Sequence, residues 1–246
     1  MRITLVNPNT SRAMTAKIAD AAREVAGPDV EIVAVCPAEG AAAIESHVDE
    51  VAAALAVVEL IEADLRAGGS DGYVVACFGD PGLDAARELV DVPVVGIAEA
   101  AMHVAALAGR SFAVVTTLSR TLGRADDLLA RYGMRRACVA LEATGIPVLE
   151  LEDTASPAVD TIVEVSARAV ATARADVIVL GCAGMADLCA TVSRRVGVPV
   201  VDGVAAAVGL VAAMSRMGVG TSTRDEYAPP PRRPAPGVAA PPVSTS

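Results

Sequence analysis

The 246-residue sequence predicts an α/β protein with two similar lobes, each a mainly parallel sheet flanked by helices. Three observations carry that expectation. Short β-branched runs alternate with longer Ala-rich stretches of helical character, the pattern of a buried parallel sheet covered on both faces. The order of these segments repeats. With 53% hydrophobic residues and only 2% aromatic, the core must also be built from Ala, Val, Leu and Ile, which lets layers approach closely.

Strands are expected at 3–6, 31–35, 73–76 and 94–97 in the first lobe, and at 112–116, 137–141, 177–180 and 198–201 in the second. Asn9, Thr10 and Ser11 offer side-chain oxygens suited to N-capping, so the first helix starts there and runs to about Val25, where Gly27-Pro28 stops it. The other helices fill the remaining intervals. The repeat is visible in landmarks. Val92-Pro93-Val94-Val95 returns as Val198-Pro199-Val200-Val201, an offset of 106, and the strand ending at Cys77 returns in the one ending at Cys182, an offset of 105. The second strands, at Glu31 and Ala137, are again 106 apart. The lobes are therefore placed at 1–98 and 99–215, the final helix packing back on the first lobe, with an extension at 216–246. From Pro229 seven of eighteen residues are Pro without apolar periodicity, a composition that predicts disorder, while Tyr227 is expected to pack on the body.

Thirty acidic against twenty basic residues give a net charge of −10, which repels phosphate backbones, and the shortage of aromatics, three Tyr and two Phe without Trp, argues against base stacking. Nucleic acid is excluded as a partner. Apolar runs are broken by charge, as at Glu59 and Glu62, so no membrane span is expected. The N-terminus enters a strand at once without a secretory signal, and five widely spaced cysteines do not form a disulfide framework. A cytoplasmic protein with reduced thiols is the expectation. Ala- and Val-rich helix faces further suggest a homo-oligomer.

Cys77 and Cys182 each close an apolar strand and precede small or turn-forming residues that open into a helix. In open parallel sheets ligands bind outside the carboxyl ends of the strands, so both thiols stand where chemistry usually occurs. A helix N-terminus beside each sulfur would lower its pKa toward neutrality. A lone free cysteine often only fills space, which is how Cys36, Cys138 and Cys189 are read, but two at equivalent points of a repeat suggest a working pair. A disulfide, a zinc site and two-base proton transfer are the options. The Cys-x-x-Cys spacing of redox motifs is missing, and His47 and His103 lie in no ligand-spaced cluster, reading instead as surface or helix-face residues.

In the third option one thiolate removes a proton beside a carbonyl and the opposed thiol returns one to the other face, inverting a stereocentre. No cofactor is required, in keeping with the lack of a dinucleotide fingerprint or P-loop. The enolate-like intermediate needs hydrogen-bond donors. Candidates are backbone amides around Phe78-Gly79 and Ala183-Gly184 and the hydroxyls of Thr116 and Thr117, which could equally serve only in turns and caps.

The segments Leu-Val-Asn-Pro-Asn-Thr-Ser (5–11), Ile-Glu-Ser (44–46), Ala-Cys-Phe-Gly-Asp-Pro-Gly-Leu (76–83), Gly-Ile-Ala-Glu-Ala (96–100) and Leu-Gly-Cys-Ala-Gly-Met (180–185) resemble those of the hydantoin racemases. That group, with its allantoin racemase relatives, is part of the aspartate/glutamate racemase superfamily. The likeness runs to about residue 228 and leaves the Pro-rich tail outside it. It implies an active site in the interlobe cleft and cofactor-independent racemisation of a cyclic ureide, with Cys77 and Cys182 catalytic. By the same resemblance Asn7, Asn9, Phe78, Gly79, Thr116, Thr117, Ala183 and Gly184 line the substrate pocket, and no metal is implied. Rival readings are another superfamily reaction, such as amino-acid racemisation or isomerisation or decarboxylation of a small diacid, and a non-catalytic two-lobed binding protein. The lack of Lys or Arg flanking either cysteine in sequence favours a neutral ring over a dicarboxylate.

Overall fold

The computed structural model describes residues 1–152 and 158–231. The Pro-rich stretch from 232 onward, expected to be disordered, lies outside the described residues. Two four-stranded sheets form, with orders β2-β1-β3-β4 and β6-β5-β7-β8, every pairing parallel. The first contains β1 (Arg2–Val6), β2 (Glu31–Val35), β3 (Gly72–Val75) and β4 (Val94–Gly96); the second β5 (Phe112–Thr116), β6 (Cys138–Ala143), β7 (Val177–Leu180) and β8 (Val200–Asp202). The α/β, two-lobed expectation is thus met. The central strands β3, β5 and β7 are buried throughout, which explains why they read as continuous apolar runs rather than alternating ones. The edge strands β2 and β6 are mostly half-exposed.

Strand ends shifted where helices or prolines intervene. Ile97, expected in a strand, begins helix α4 (Ile97–Ala108). The strand expected at 198–201 starts at Val200, because Pro199 has no N–H to donate and contributes only its carbonyl, which accepts from the Ile178 N–H at 3.0 Å. Helix α1 (Arg12–Val25) is capped by Ser11, whose hydroxyl accepts from the Met14 N–H, and helix α2 (His47–Arg66) is capped likewise by Ser46 from Asp49. Tyr227 does reach the body, donating to Asp84 at 3.0 Å. Among the described residues no helix is long and apolar enough to cross a membrane.

The lobes share one core. The remaining helices are α3 (Leu83–Leu89), α5 (Leu122–Arg131), α6 (Ala158–Ala173), α7 (Cys189–Val196) and α8 (Gly203–Arg216). Helix α4 leaves the first sheet and packs on β7 and β8; helix α8 leaves the second and packs on β1, β3 and α1, so each lobe's last helix serves the other. Ile3, Leu5 and Val74 of one sheet join Phe112, Val114 and Val177 of the other through Ala101, Ala105, Val204 and Val208. Small residues make this possible. A side chain on Gly203 would meet the Ile97 carbonyl oxygen at 2.6 Å, so α4 and α8 approach only without one. Because each sheet order reverses between its first and third strands, the loops after β1 and β3, and after β5 and β7, open at topological switch points facing the cleft.

Candidate active site

A cavity of about 200 Å³ occupies the cleft, small enough for one compact ligand and too small for a polymer. Loops from both lobes supply its wall. Cys77 and Cys182 both line it, each half-buried and free. Each heads a matching turn, with the Asp80 N–H donating to the Cys77 carbonyl at 2.9 Å and the Met185 N–H to the Cys182 carbonyl at 3.1 Å. The repeat in sequence thus becomes a repeat in geometry.

Of the residues expected in the pocket, Asn9, Phe78, Gly79, Thr116, Thr117 and Ala183 line it beside the cysteines. Asn7 and Gly184 are not on the cavity wall. Asn7 is buried behind Asn9, its amide donating to Asn9 Oδ1 and Thr15 Oγ1, both at 2.9 Å, so it holds the loop. Gly184 lies against Leu151 and Met14, which leave little room for a side chain. The two threonines also differ. Thr116 spends its hydroxyl on the Gly181 carbonyl at 3.0 Å, whereas the Thr117 hydroxyl has no partner among the described residues.

The thiols are harder to ionise than the sequence suggested. Burial pushes Cys77 up to about 12; the Gly79 N–H works in the opposite sense, and negative charge at Cys182, Asp80 and Glu50 adds to the rise. Burial pushes Cys182 up to about 11, opposed by the Gly184 N–H and by the charge of Lys17. The expected lowering is outweighed by desolvation, and its local source is weak: α3 begins only at Leu83, behind a turn, and only a short 3-10 segment (Ala183–Leu188) follows Cys182, leaving the Gly79 and Gly184 N–H groups as the donors.

Asp80 anchors the first cysteine turn. It is buried with φ 45°, and its carboxylate accepts from the Ala98 and Glu99 N–H groups at 3.0 and 2.9 Å and from the Tyr132 hydroxyl at 2.7 Å. It therefore caps α4, whose own N-cap is the side-chain-free Gly96. The equivalent helix α8 is capped by its own Asp202, which accepts from Val204 and Ala205, the residues 106 positions beyond Ala98 and Glu99. Desolvation raises Asp80 to about 6 despite these donors.

The wall also takes in Glu45 and Ser46 of the Ile-Glu-Ser segment and His47, none of them expected in the pocket, together with residues the sequence did not single out: Glu50 from the first turn of α2, and Arg120, Thr121 and Arg124 from the start of α5. His47, read as a surface or helix-face residue, is exposed on α2 and also borders the cavity; His103 bonds within α4 to the Glu99 carbonyl. The expectation that no cation adjoins the cysteines holds along the chain but not in space. Arg124 donates to the Gly79 carbonyl at 2.7 Å and pairs with Glu50 at 2.6 Å; Arg120 is exposed, its charge acting on Asp49 of α2. Two guanidiniums and two carboxylates line the cavity, so its wall holds no excess of cations to attract a dianion. Among the described residues no group of three His, Cys, Asp or Glu is arranged to hold a metal ion.

Comparison with known proteins agrees with this architecture. The chain is 40% identical to the hydantoin racemase of Pseudomonas sp. (strain NS671), over 95% of this chain and 93% of that one. The structure of allantoin racemase from Klebsiella pneumoniae superposes with a TM-score of 0.92 at 49% identity, covering 95% of each chain. That of allantoin racemase from Pseudomonas fluorescens also gives 0.92, at 40% identity, covering 96% of this chain and all of that one. Residues 3–211 match the profile of the family described as Asp/Glu/Hydantoin racemase. With the twin cysteine turns and the relatives agreeing, the chain belongs to the Asp/Glu/Hydantoin racemase family and is an isomerase of the racemase kind.

Proposed function

We propose that the protein racemises a cyclic ureide bearing one hydrogen at C5, allantoin or a 5-monosubstituted hydantoin, by two-base proton transfer between Cys77 and Cys182 without a cofactor. The observation that carries this reading is the pair of cysteines at equivalent strand ends, both on the wall of one small cavity and close enough for the charge of Cys182 to act on Cys77. The names of the similar proteins, hydantoin and allantoin racemases, support the substrate class.

The step begins from a single thiolate. Burial raises both thiols, but the charge of Lys17 acts on Cys182 whereas Asp80 and Glu50 act on Cys77, so the thiolate is assigned to Cys182, whose charge in turn keeps Cys77 protonated. The Cys182 thiolate takes the C5 proton, and the electron pair passes into the adjacent ring carbonyl as an enolate. The Cys77 thiol then delivers its proton to the opposite face. The products are the inverted ring, a Cys182 thiol and a Cys77 thiolate, and the reverse traversal restores the start. One negative charge is present throughout. The free hydroxyl of Thr117 is the side-chain donor assigned to the enolate oxygen.

Single enantiomers of allantoin and of alkyl and aryl hydantoins, incubated in deuterated water, test the reading. Loss of optical rotation with deuterium appearing at C5 is expected for at least one of them. No exchange from any cyclic ureide, with the protein folded, would overturn it.

A further inference from the structure

Around the cysteines the pseudo-symmetry extends to two cations. The N–H of Gly79, two residues after Cys77, favours that cysteine's thiolate, and the N–H of Gly184, two residues after Cys182, does the same for its own. Each glycine is also held by its carbonyl. Arg124 of α5, in the second lobe, donates to the Gly79 carbonyl through Nη2 at 2.7 Å and Nε at 3.2 Å. Lys17 of α1, in the first lobe, donates to the Gly184 carbonyl at 3.4 Å and to that of Leu151 at 2.8 Å. Positions 17 and 124 differ by 107, close to the offset that relates the two halves, and α1 and α5 follow the first strand of their lobes. Neither contact is local, since Lys17 spans 167 residues to Gly184 and Arg124 spans 45 to Gly79.

We propose that Lys17 and Arg124 are a matched pair of positioning residues, each reaching from one lobe to hold the glycine beside the other lobe's cysteine and to set how readily that cysteine ionises. The arrangement makes the chemistry depend on the lobes being docked, because each sulfur takes its supporting cation from across the cleft. It also makes the two sulfurs unequal. Cys77 faces Cys182, Asp80 and Glu50, and Arg124 pairs directly with Glu50, so it bears on Cys77 through the Gly79 peptide and by neutralising Glu50. Cys182 faces Lys17 together with Glu45 and Asp202, while the acid paired with Lys17, Asp187, lies outward at 3.2 Å and is more exposed. Lys17 therefore favours the thiolate of Cys182.

The proposal rests on the two-cysteine reading for its catalytic consequence only, and its test needs no turnover. The thiolate is the form that alkylates, so iodoacetamide labelling of the full chain at about pH 8, resolved by peptide mass spectrometry, reads each cysteine separately. Lys17→Met is expected to slow labelling of Cys182 by about three- to tenfold, the factor for a rise of about half to one pH unit in its ionisation, with Cys77 changed less than about twofold. Arg124→Met is expected to slow Cys77 selectively. Lys17→Arg and Arg124→Lys restore the rates. Lys17→Gln and Arg124→Gln, read alongside, replace any methionine variant that does not fold. Equal slowing at both cysteines, or none, would overturn the pairing. The catalytic reading fails separately, if Cys77→Ser and Cys182→Ser both still racemise.

Discussion

Replacing Gly96 by alanine places a methyl group inside the carboxylate that caps α4. A Cβ there would overlap Cγ and both oxygens of Asp80, the farthest of the three at 2.6 Å, so Asp80 must leave its position. Three hydrogen bonds then fail together: two from the Ala98 and Glu99 N–H groups and one from Tyr132. Losing a cap costs about 0.5–2 kcal/mol, and losing a buried bond to a carboxylate about 1.5–3 kcal/mol. Since the bonds share one acceptor they do not simply add, and roughly 2–4 kcal/mol is expected. For a chain of this size that corresponds to a fall in Tm of about 5–15 °C. Because Asp80 ends the turn that starts at Cys77, racemase activity should drop in the surviving folded fraction as well. Gly209→Ala is the control: the site is exposed in the middle of α8, a Cβ meets nothing within 4 Å, and a gain of about 0.5–1 kcal/mol is expected. Thermal unfolding followed by circular dichroism, with polarimetry on the same samples, reads both effects. A Gly96→Ala protein that melts within about 1 °C of the parent would refute the capping role of Asp80.

Other consequences follow from the same contacts. Tyr132→Phe removes only the hydroxyl donor to Asp80 and should cost about 1–2 kcal/mol in urea unfolding. Thr116→Val should lower stability through its lost bond to the Gly181 carbonyl, whereas Thr117→Val should leave the melting temperature unchanged and lower kcat about tenfold or more if its hydroxyl meets the enolate; equal behaviour of the two would contradict that division. Since burial raises both thiols well above their ordinary range, the active single-thiolate form grows about tenfold per pH unit on the acid side, so kcat/KM should climb between about pH 6 and 9. A profile already flat at neutral pH would show that the free enzyme's thiolate forms far more easily.

What the sequence disclosed was what lies close along the chain. The apolar runs at Val177–Leu180 and Phe112–Thr116 mark strands because a strand buried on both faces has no polar side to show. Cys77 and Cys182 stand out because their turns repeat at one offset. Asn9 and Thr117 were legible through their places just beyond β1 and β5. Arg124, Glu50 and Lys17 were not, since each meets the site through a neighbour at least 45 residues away in sequence, and nothing local distinguishes such a charge from a solvated helix face. One signal was available: Lys17 and Arg124 stand 107 residues apart, within two of the 105 that separate the cysteines. The direction of the thiol ionisation was misjudged for a similar reason, because a helix start can be read from residues whereas the desolvation that outweighs it arises only when two lobes close over the sulfur.

The most direct test of the two-base pair is proton exchange in single-cysteine variants. Cys77→Ser and Cys182→Ser, each shown to be folded, are incubated with separate enantiomers of a racemised substrate in deuterated water, following C5 deuterium by NMR and inversion by polarimetry. Each variant should lose racemisation by about a thousandfold or more and still exchange the proton of one enantiomer without inverting it, the two variants choosing opposite enantiomers. Racemisation persisting at comparable rates in both variants, or both exchanging the same enantiomer, would contradict opposed bases at Cys77 and Cys182.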